Sequence, residues 1–534
     1  RLVHRIPVRV RHYWKLLATC AATLLAFAVV FSTVRVAPLV TSASNESADT
    51  VTQNIEGSTD LFDATQAHSI KLTFRDADYQ ELLDSFWADG EKEYLEADLT
   101  VDGVTIPSVG IRLKGNSTLS GLTRNGETSP NGFGGGRRGG GGAGPQMPEG
   151  MQPPEGMQLP EGMEMPGGGQ GGPGGGFGGF SSLKAEEPET LPWLIRFDEF
   201  VEGRRYQGHR EVTVRVAGMG GGTTVLNEAV SLNVLNTAGQ PAQKYAYTSF
   251  TVNDRPTTAR LVVEHPDENF ADTLGGNGVL YKSLASGQFT DQGDDQTEYA
   301  DDFKQISKKG SQDLQPVIDL VRWVNTASDA DFDEHLGDHV DVASFARYLA
   351  VQNLLLNSDD MAGPGRNYYL WYDLDTRKFS VVGWDYNLTL SGNAEQDPTE
   401  AVSMFGGGGG PGGGGMPEGF QLPEGMQLPE GMQPPGEGGG GGPGGGRGLG
   451  GHKLKERFLA SAAYKSAYQD AYRELYQQIY GSGAAASAVD TISKVLSTVD
   501  GLDQQAATDE ATKLRTLIQQ RTKYLASTEI IKKS

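Results

Sequence analysis

NSDDMAGPGRNYYLWYDLDTRKFSVVGWDYNLTL, residues 357–390, holds the chain's densest set of chemically useful side chains. Its two apolar runs, NYYLWYD and KFSVVGW, are joined by the short polar turn Asp375-Thr376-Arg377, a pattern that predicts a β-hairpin. Such a hairpin returns its far end, Trp384-Asp385-Tyr386-Asn387, towards Asp359 and Asp360, which follow a long helical pattern, and towards Asn367, which opens the first strand. A carboxylate to accept a proton, a second to hold a metal and an amide as further ligand are the equipment of phosphoryl transfer.

Outward from the hairpin, strand and helix periodicities follow one another. Helical patterns span Leu314 to Thr326 and Val342 to Asn357, and the runs Tyr247 to Val252 and Thr258 to Val263 flank Asn253-Asp254-Arg255-Pro256 as a second hairpin. Further upstream lie a helix over Val225 to Leu235 and strands over Trp193 to Phe197 and Glu211 to Val216. Before those come two strands within Leu95 to Leu113, a helix over Asp76 to Trp87 that Asp76 is placed to cap, and an alternating strand from Ser69. Strands mostly first and helices mostly later predict an α+β domain. It runs over residues 69–128, 181–405 and 452–534, the last part helical, with Phe458, Ala462, Tyr472, Leu475 and Ile479 at helical spacing.

The gaps, residues 129–180 and 406–451, are Gly/Pro/Met tracts that share a unit, Met147-Pro-Glu-Gly-Met-Gln in one and Met416-Pro-Glu-Gly-Phe-Gln in the other. Such composition buries too little apolar surface to offset ordering entropy, so both are predicted to be disordered. Their glycine runs satisfy G-x-G-x-x-G trivially and have no weight as phosphate loops. Eight of the chain's 11 methionines lie in them. Thioethers suit Cu(I), but no His or Cys accompanies them, and a flexible insert is the plainer reading.

The 534 residues include 74 Gly and 26 Pro, concentrated in these tracts, which still leaves enough chain for a large core. A formal net charge of −23 argues against a nucleic-acid partner, which needs a basic face, but leaves room for a nucleotide. The single cysteine, Cys20, excludes an intramolecular disulfide framework. Arg1, Arg5, Arg9, Arg11 and Lys15 precede an apolar run from Leu16 to Val34, long enough for a transmembrane anchor within residues 1–44. Basic residues on the N-terminal side keep that side cytoplasmic and place the bulk of the chain outside the cell membrane. A cleaved signal followed by secretion is the alternative, given the small residues Thr41-Ser42-Ala43-Ser44. Residues 45–68 read as a polar tether.

The hairpin also resembles the spore coat protein H (CotH) kinase family, in which N-x-D, N-Y-Y-L and W-D-x-D or W-D-x-N follow one another. Further blocks match in the family's order: Arg112-Leu-Lys-Gly-Asn-Ser-Thr118, Pro192-Trp-Leu-Ile-Arg-Phe-Asp198, Leu226-Asn-Glu-Ala229, Leu261-Val-Val-Glu264 and Gly278-Val-Leu-Tyr-Lys282. The resemblance covers the chain from about Ser69 to its C-terminus and implies a bacterial protein with a two-lobed, atypical protein-kinase-like domain, interrupted by the two tracts.

It implies roles as well. Asp359 or Asp360 would be the base: the N-x-D spacing from Asn357 favours the first, proximity to Asn367 the second. Asp385 would hold the metal with Asn367 or with Asn387, which stands where many relatives carry a second Asp. The plain alternative for Asp385 is a turn cap, and for the acidic pair a solvated loop. Gly115-Asn116-Ser117, after a strand, suits backbone approach to phosphates, or is an ordinary turn. Arg196 resembles the phosphate-binding strand cation of kinases, with Glu228 its helix partner and Glu264 at the nucleotide-hinge position; each also reads as a routine surface or ion-pair residue. Relatives carry Lys before the Arg196 strand where this chain has Glu189-Thr-Leu-Pro-Trp193, which leaves Lys184 and Lys282 as further phosphate cations. The histidines, His265 among them, lack metal-ligand spacing.

The expected protein is therefore an exported kinase that uses ATP with Mg²⁺ or Mn²⁺ to phosphorylate Ser or Thr of a surface protein. ATP is scarce outside a cell, so the alternatives are a surface scaffold that keeps the fold, or a nucleotide-dependent transferase of another kind, adenylylating or glutamylating.

Overall fold

Period-two burial shapes the first half of the chain in the computed structural model, which describes residues 50–115, 118–130, 183–216, 223–402 and 451–533. After a short β1 (Gln53–Ile55), β2 (His68–Thr73) buries every second side chain. Helix α1 (Asp76–Asp89) is followed by β3 (Leu95–Val101) and β4 (Val104–Leu113), which pair around the turn at Asp102-Gly103, and then by the small strands β5 (Thr123–Arg124) and β6 (Glu127–Thr128). Strands β7 (Trp193–Arg196), β8 (Arg204–Tyr206) and β9 (Glu211–Val214), helix α2 (Leu226–Thr237), β10 (Tyr245–Val252) and β11 (Thr258–Glu264) complete this half.

Seven of these strands close into a barrel in the order β10-β11-β9-β7-β4-β3-β2, and the parallel pairing of β2 with β10 removes the free edges an open sheet would leave. Ile70, Leu72, Ile111, Leu113, Trp193, Ile195, Val214 and Phe250 belong to its core, together with Tyr79, Leu82 and Phe86 of α1.

The second half holds α3 (Glu268–Thr273), β12 (Gly278–Ser283), β13 (Phe303–Gln305), α4 (Gln315–Thr326), α5 (Asp329–His339), α6 (Val342–Leu354), β14 (Tyr368–Asp373) and β15 (Lys378–Gly383). The helices α7 (Lys453–Ala460), α8 (Lys465–Tyr476), α9 (Ala484–Leu496), α10 (Gln504–Ser527) and α11 (Glu529–Lys532) follow. A four-stranded sheet, β13-β12-β14-β15, lies against the helices, and one continuous apolar core joins α2, α4, α6, α8, α9 and α10. The architecture is mixed α+β, as the order of periodicities predicts.

Four departures have local causes. Residues 53–55 of the expected tether pair with Arg204–Tyr206, and Leu61 and Phe62 are buried, apolar anchors that a solvated linker would not keep. Asp76 lies inside the first turn of α1, not at its cap, which is Arg75. Helix α6 stops at Leu354, three residues before Asn357, because Leu356 turns left-handed (φ 54) and Asn357 N bonds back to Gln352 O. Helix α5, rich in Asp and weakly apolar, escaped the periodicity reading. The apolar run Leu16 to Val34 and nearly all of both Gly/Pro/Met tracts lie outside the described residues; among the described residues no helix is long and apolar enough to cross a membrane.

Arg521 of α10 is 0% exposed and ties the helical end to the rest. Its guanidinium donates to the carbonyls of Ala394, Gln396 and Asn353, to Asn353 Oδ1 and to the Tyr472 hydroxyl. Arg521→Met would take their charged donor from the buried carbonyls of Ala394 and Gln396 and remove one donor from Asn353, and urea unfolding should show a loss of about 3 kcal/mol; a midpoint within error of the parent's would refute that role.

Candidate active site

The β14–β15 hairpin sets the site by its register. Tyr368 faces Gly383, so Trp384 N reaches Asn367 O at 3.2 Å and Asp385 emerges one residue beyond the ladder. Asp385 adopts a left-handed backbone (φ 60, ψ 69), uncommon for a residue other than glycine and held here by the turn into the 3₁₀ segment Tyr386–Leu388. Its Oδ1 accepts from an Arg215 NH group at 2.7 Å. Arg215, one residue past β9, also binds Glu228 of α2, with Nε 3.1 Å from Glu228 Oε1. A strand, a helix and a hairpin thus converge on one buried guanidinium.

Three cations surround the indole of Trp384: Lys114 Nζ lies 5.0 Å, the Arg215 guanidinium 5.2 Å and Lys282 Nζ 5.6 Å from the ring centroid. His265 meets the same ring edge to face and reaches Glu211 at 3.0 Å. Burial pushes the Asp385 carboxyl up, but Arg215, Lys114 and Lys282 outweigh it and hold it below its usual range. Burial raises Glu228, with Arg215 opposing and Asp385 adding to the rise. Burial, then repulsion from Arg215, pulls Lys114 down to about 7; burial, then Lys304, takes Lys282 to about 8. Crowded positive charge with little water around it attracts phosphate oxygens.

Asp359 lies in a wrap of backbone. Gly365 N donates to its Oδ1 at 2.6 Å and Asn367 Nδ2 to its Oδ2 at 2.9 Å. A Cβ at Gly363 or at Gly365 would fall 2.5 Å from an Asp359 carboxylate oxygen, so only glycine permits the loop to close this tightly. Burial raises its pKa to about 6; Gly365 N opposes, while the charges of Asp385 and Asp360 add to the rise. A carboxylate of that proton affinity is matched to accepting a proton near neutral pH.

Asp360 faces another way: it pairs with Lys455 of α7 and accepts from Ala362 N at 2.8 Å. The two neighbours divide into a carboxylate held by neutral donors and one neutralised by a lysine. Asn387 follows Asp385 in the 3₁₀ segment, its carbonyl fixed by Asn227 Nδ2 at 2.7 Å.

Other expected members stand apart. Arg196 pairs with Asp198 at 2.7 Å and approaches Glu199 and Glu211, while the partner of Glu228 is Arg215. The sequence carried a signal for this: Arg215 ends an apolar strand only thirteen residues before Glu228. Lys114 was likewise present in the Arg112–Thr118 block, unassigned. Lys455, 95 residues from Asp360, left no local trace. Glu264 is buried beside His209 and accepts from Lys244 N at 3.1 Å; burial raises its pKa. Lys184 pairs with Glu187 at the surface. Gly115 (φ 102) follows Lys114, whereas Asn116 and Ser117 lie outside the described residues.

Among the described residues no cluster of three or more His, Cys, Asp or Glu forms a protein-only metal cage. Asp385 and the amides of Asn367 and Asn387 offer hard oxygens, the donor type that suits a cation such as Mg²⁺, which completes its shell with water and phosphate oxygens.

The family model described as CotH kinase protein matches residues 179–525, about two thirds of the chain. The chain is also similar to the inner spore coat protein H of Bacillus subtilis (strain 168), 23% identical over 195 residues. That match spans 36% of this chain and 52% of the relative, so it reaches only about half of the relative's length.

The strain on Asp359 has a measurable sign. Its folded pKa, about 6, exceeds the unfolded value near 3.8, so folding favours the protonated acid; that stability is complete below pH 3.8 and is lost as pH rises through about 6. Asp359→Asn should therefore be more stable than the parent at pH 8, by up to about 2 kcal/mol, with the gap closing towards pH 4. Urea unfolding from pH 4 to 8 checks this; parallel curves for the two proteins would contradict it.

Proposed function

Because this chain belongs to the CotH kinase family, we propose that it is a protein kinase that transfers the γ-phosphate of ATP to a Ser or Thr hydroxyl of a cell-surface protein. The observation that carries the reading is the Glu228–Arg215–Asp385 chain of charges lying beside an Asp359 of raised proton affinity. The two acids have opposite protonation tendencies, as base and cation ligand require.

In this reading Asp359 accepts the hydroxyl proton of the acceptor residue, oriented by its bonds to Gly365 N and Asn367 Nδ2. Lys114, Lys282 and Arg215 hold the nucleotide phosphates and offset the charge that spreads over the oxygens as the acceptor oxygen bonds to phosphorus and ADP departs. Asp385, with Asn367 and Asn387, would hold Mg²⁺ or Mn²⁺, which supplies further charge neutralisation at the phosphates. Glu228 keeps Arg215 in place between two carboxylates. The basic N-terminus and apolar run support a location of this chemistry on the outer side of the cell membrane, anchored by one span or released after cleavage.

A second reading has one observation in its favour: the relative's name describes a spore coat component, which suits a structural surface role with the pocket inherited. Calorimetry of ATP binding with and without Mg²⁺ or Mn²⁺ separates the two, and the intact mass of the product distinguishes phosphorylation from adenylylation or glutamylation.

Asp385→Asn should lower phosphate transfer by at least about 10²-fold in a chain that still folds, though with a lower melting temperature because the buried Arg215 loses a charged partner; unchanged turnover would sink the assignment. For the free enzyme, kcat/KM should be bell-shaped, rising through about 6 as Asp359 ionises and falling above about 7 to 8 as Lys114 and Lys282 lose charge. Lys114→Arg, which stays charged, should move the alkaline limb upward; a limb that does not move would remove Lys114 from the phosphate site.

A further inference from the structure

Helix α2, which presents Glu228 to Arg215, begins without a cap of its own. Its N-cap residue, Val225, lies in the left-handed region at φ 54 and makes no side-chain capping bond. A β-branched residue there is strained and persists only where its surroundings over-determine it.

The two residues before Val225 are gripped from the far end of the chain. The Glu510 carboxylate, on α10, accepts from the amide and hydroxyl of Thr223 through Oε1, the hydroxyl at 2.9 Å. Through Oε2 it accepts from the amide of Thr224 at 3.1 Å and from the Thr224 hydroxyl. From the other side, the Tyr247 hydroxyl of β10 donates to Thr224 O at 2.9 Å. The α9–α10 turn is itself seated on the barrel, with Asp500 N donating to Ser249 Oγ at 2.9 Å and Gly501 so near that a Cβ would fall 2.2 Å from Thr257 O. A carboxylate at this end of α2 also meets the positive pole of the helix.

We propose that Glu510 is a positioning residue for the active site: by clamping Thr223 and Thr224 it fixes the start of α2, and so the placement of Glu228 on Arg215 and of Arg215 on Asp385. Each link is a contact already described, and none of them involves Glu510 touching the reacting groups. The turnover arm of the test rests on the kinase reading; the exchange arm does not.

The full chain is compared with Glu510→Ala, Glu510→Gln and, as a neighbouring control, Asp509→Ala, a residue that accepts from Gln505 on the same helix. Hydrogen exchange of α2 amides 229–232 should quicken roughly fivefold or more in Glu510→Ala, the scale of losing a helix cap, while amides 348–352 of α6 keep their protection. Glu510→Gln, which retains one acceptor oxygen, should recover part of the effect, and Asp509→Ala should match the parent. Phosphate transfer should fall by a similar factor in Glu510→Ala, and no further when that change is added to Glu228→Gln, because the path runs through Glu228. Unchanged exchange in α2, a loss shared equally by α6, or full additivity of the two substitutions overturns the inference. If the parent transfers no phosphate, the kinase reading falls by itself and the exchange result alone decides for or against Glu510.

Discussion

One guanidinium sits where three separate pieces of the fold meet. Arg215 is buried, and a buried charge is tolerated only where partners replace the water it has lost. Glu228 and Asp385 supply that replacement from a helix and from the end of a hairpin, at the same strand end. Removing either acid would leave the cation under-compensated, and removing the cation would leave two carboxylates facing Lys114 and Lys282 without their nearest partner. The barrel, α2 and the β14–β15 hairpin are therefore fixed relative to one another by charge as well as by apolar packing. The same arrangement leaves Asp385 ionised and Asp359 close to neutral pH in its titration, two properties that a surface loop would not provide.

What the sequence made legible was local. The hairpins at Asp102-Gly103 and Asp375–Arg377, and the strands and helix on either side of Arg215, follow from periods of two and 3.6 that any short window displays. The candidate site residues were legible because Asp359, Asp360, Asn367, Asp385 and Asn387 crowd into one such window. Which of them face the site was not. Lys455 decides between Asp359 and Asp360, and it arrives from the far side of a long glycine-rich tract. The choice between Arg196 and Arg215 turned on position, since Arg196 pairs with Asp198 two residues past the end of β7 whereas Arg215 lies beyond the end of β9, against Glu228 of α2. Closure of the barrel was equally out of reach, because a parallel pairing between β2 and β10 leaves no mark in either strand.

Glycine has two unrelated uses in this chain. In the tracts it is repeated and interchangeable, and its effect is compositional. At Gly363 and Gly365 it is positional: the backbone passes so near the Asp359 carboxylate that a single methyl group would displace the loop. The loop that supplies donors to Asp359 therefore tolerates almost no substitution at these two positions.

The closing seam of the barrel also sets the order in which the molecule can assemble. β2 waits for β10, a strand about 180 residues further along the chain, so its hydrogen-bonding edge stays unsatisfied until that strand has been made. The start of α2 waits longer still, for a carboxylate 287 residues away. Local hairpins can form as they emerge, whereas the residues before α2 are gripped only when the last long helix has docked. A chain cut short before β10 would keep its local hairpins and present an exposed, adhesive strand edge, so truncation there would produce an aggregation-prone intermediate.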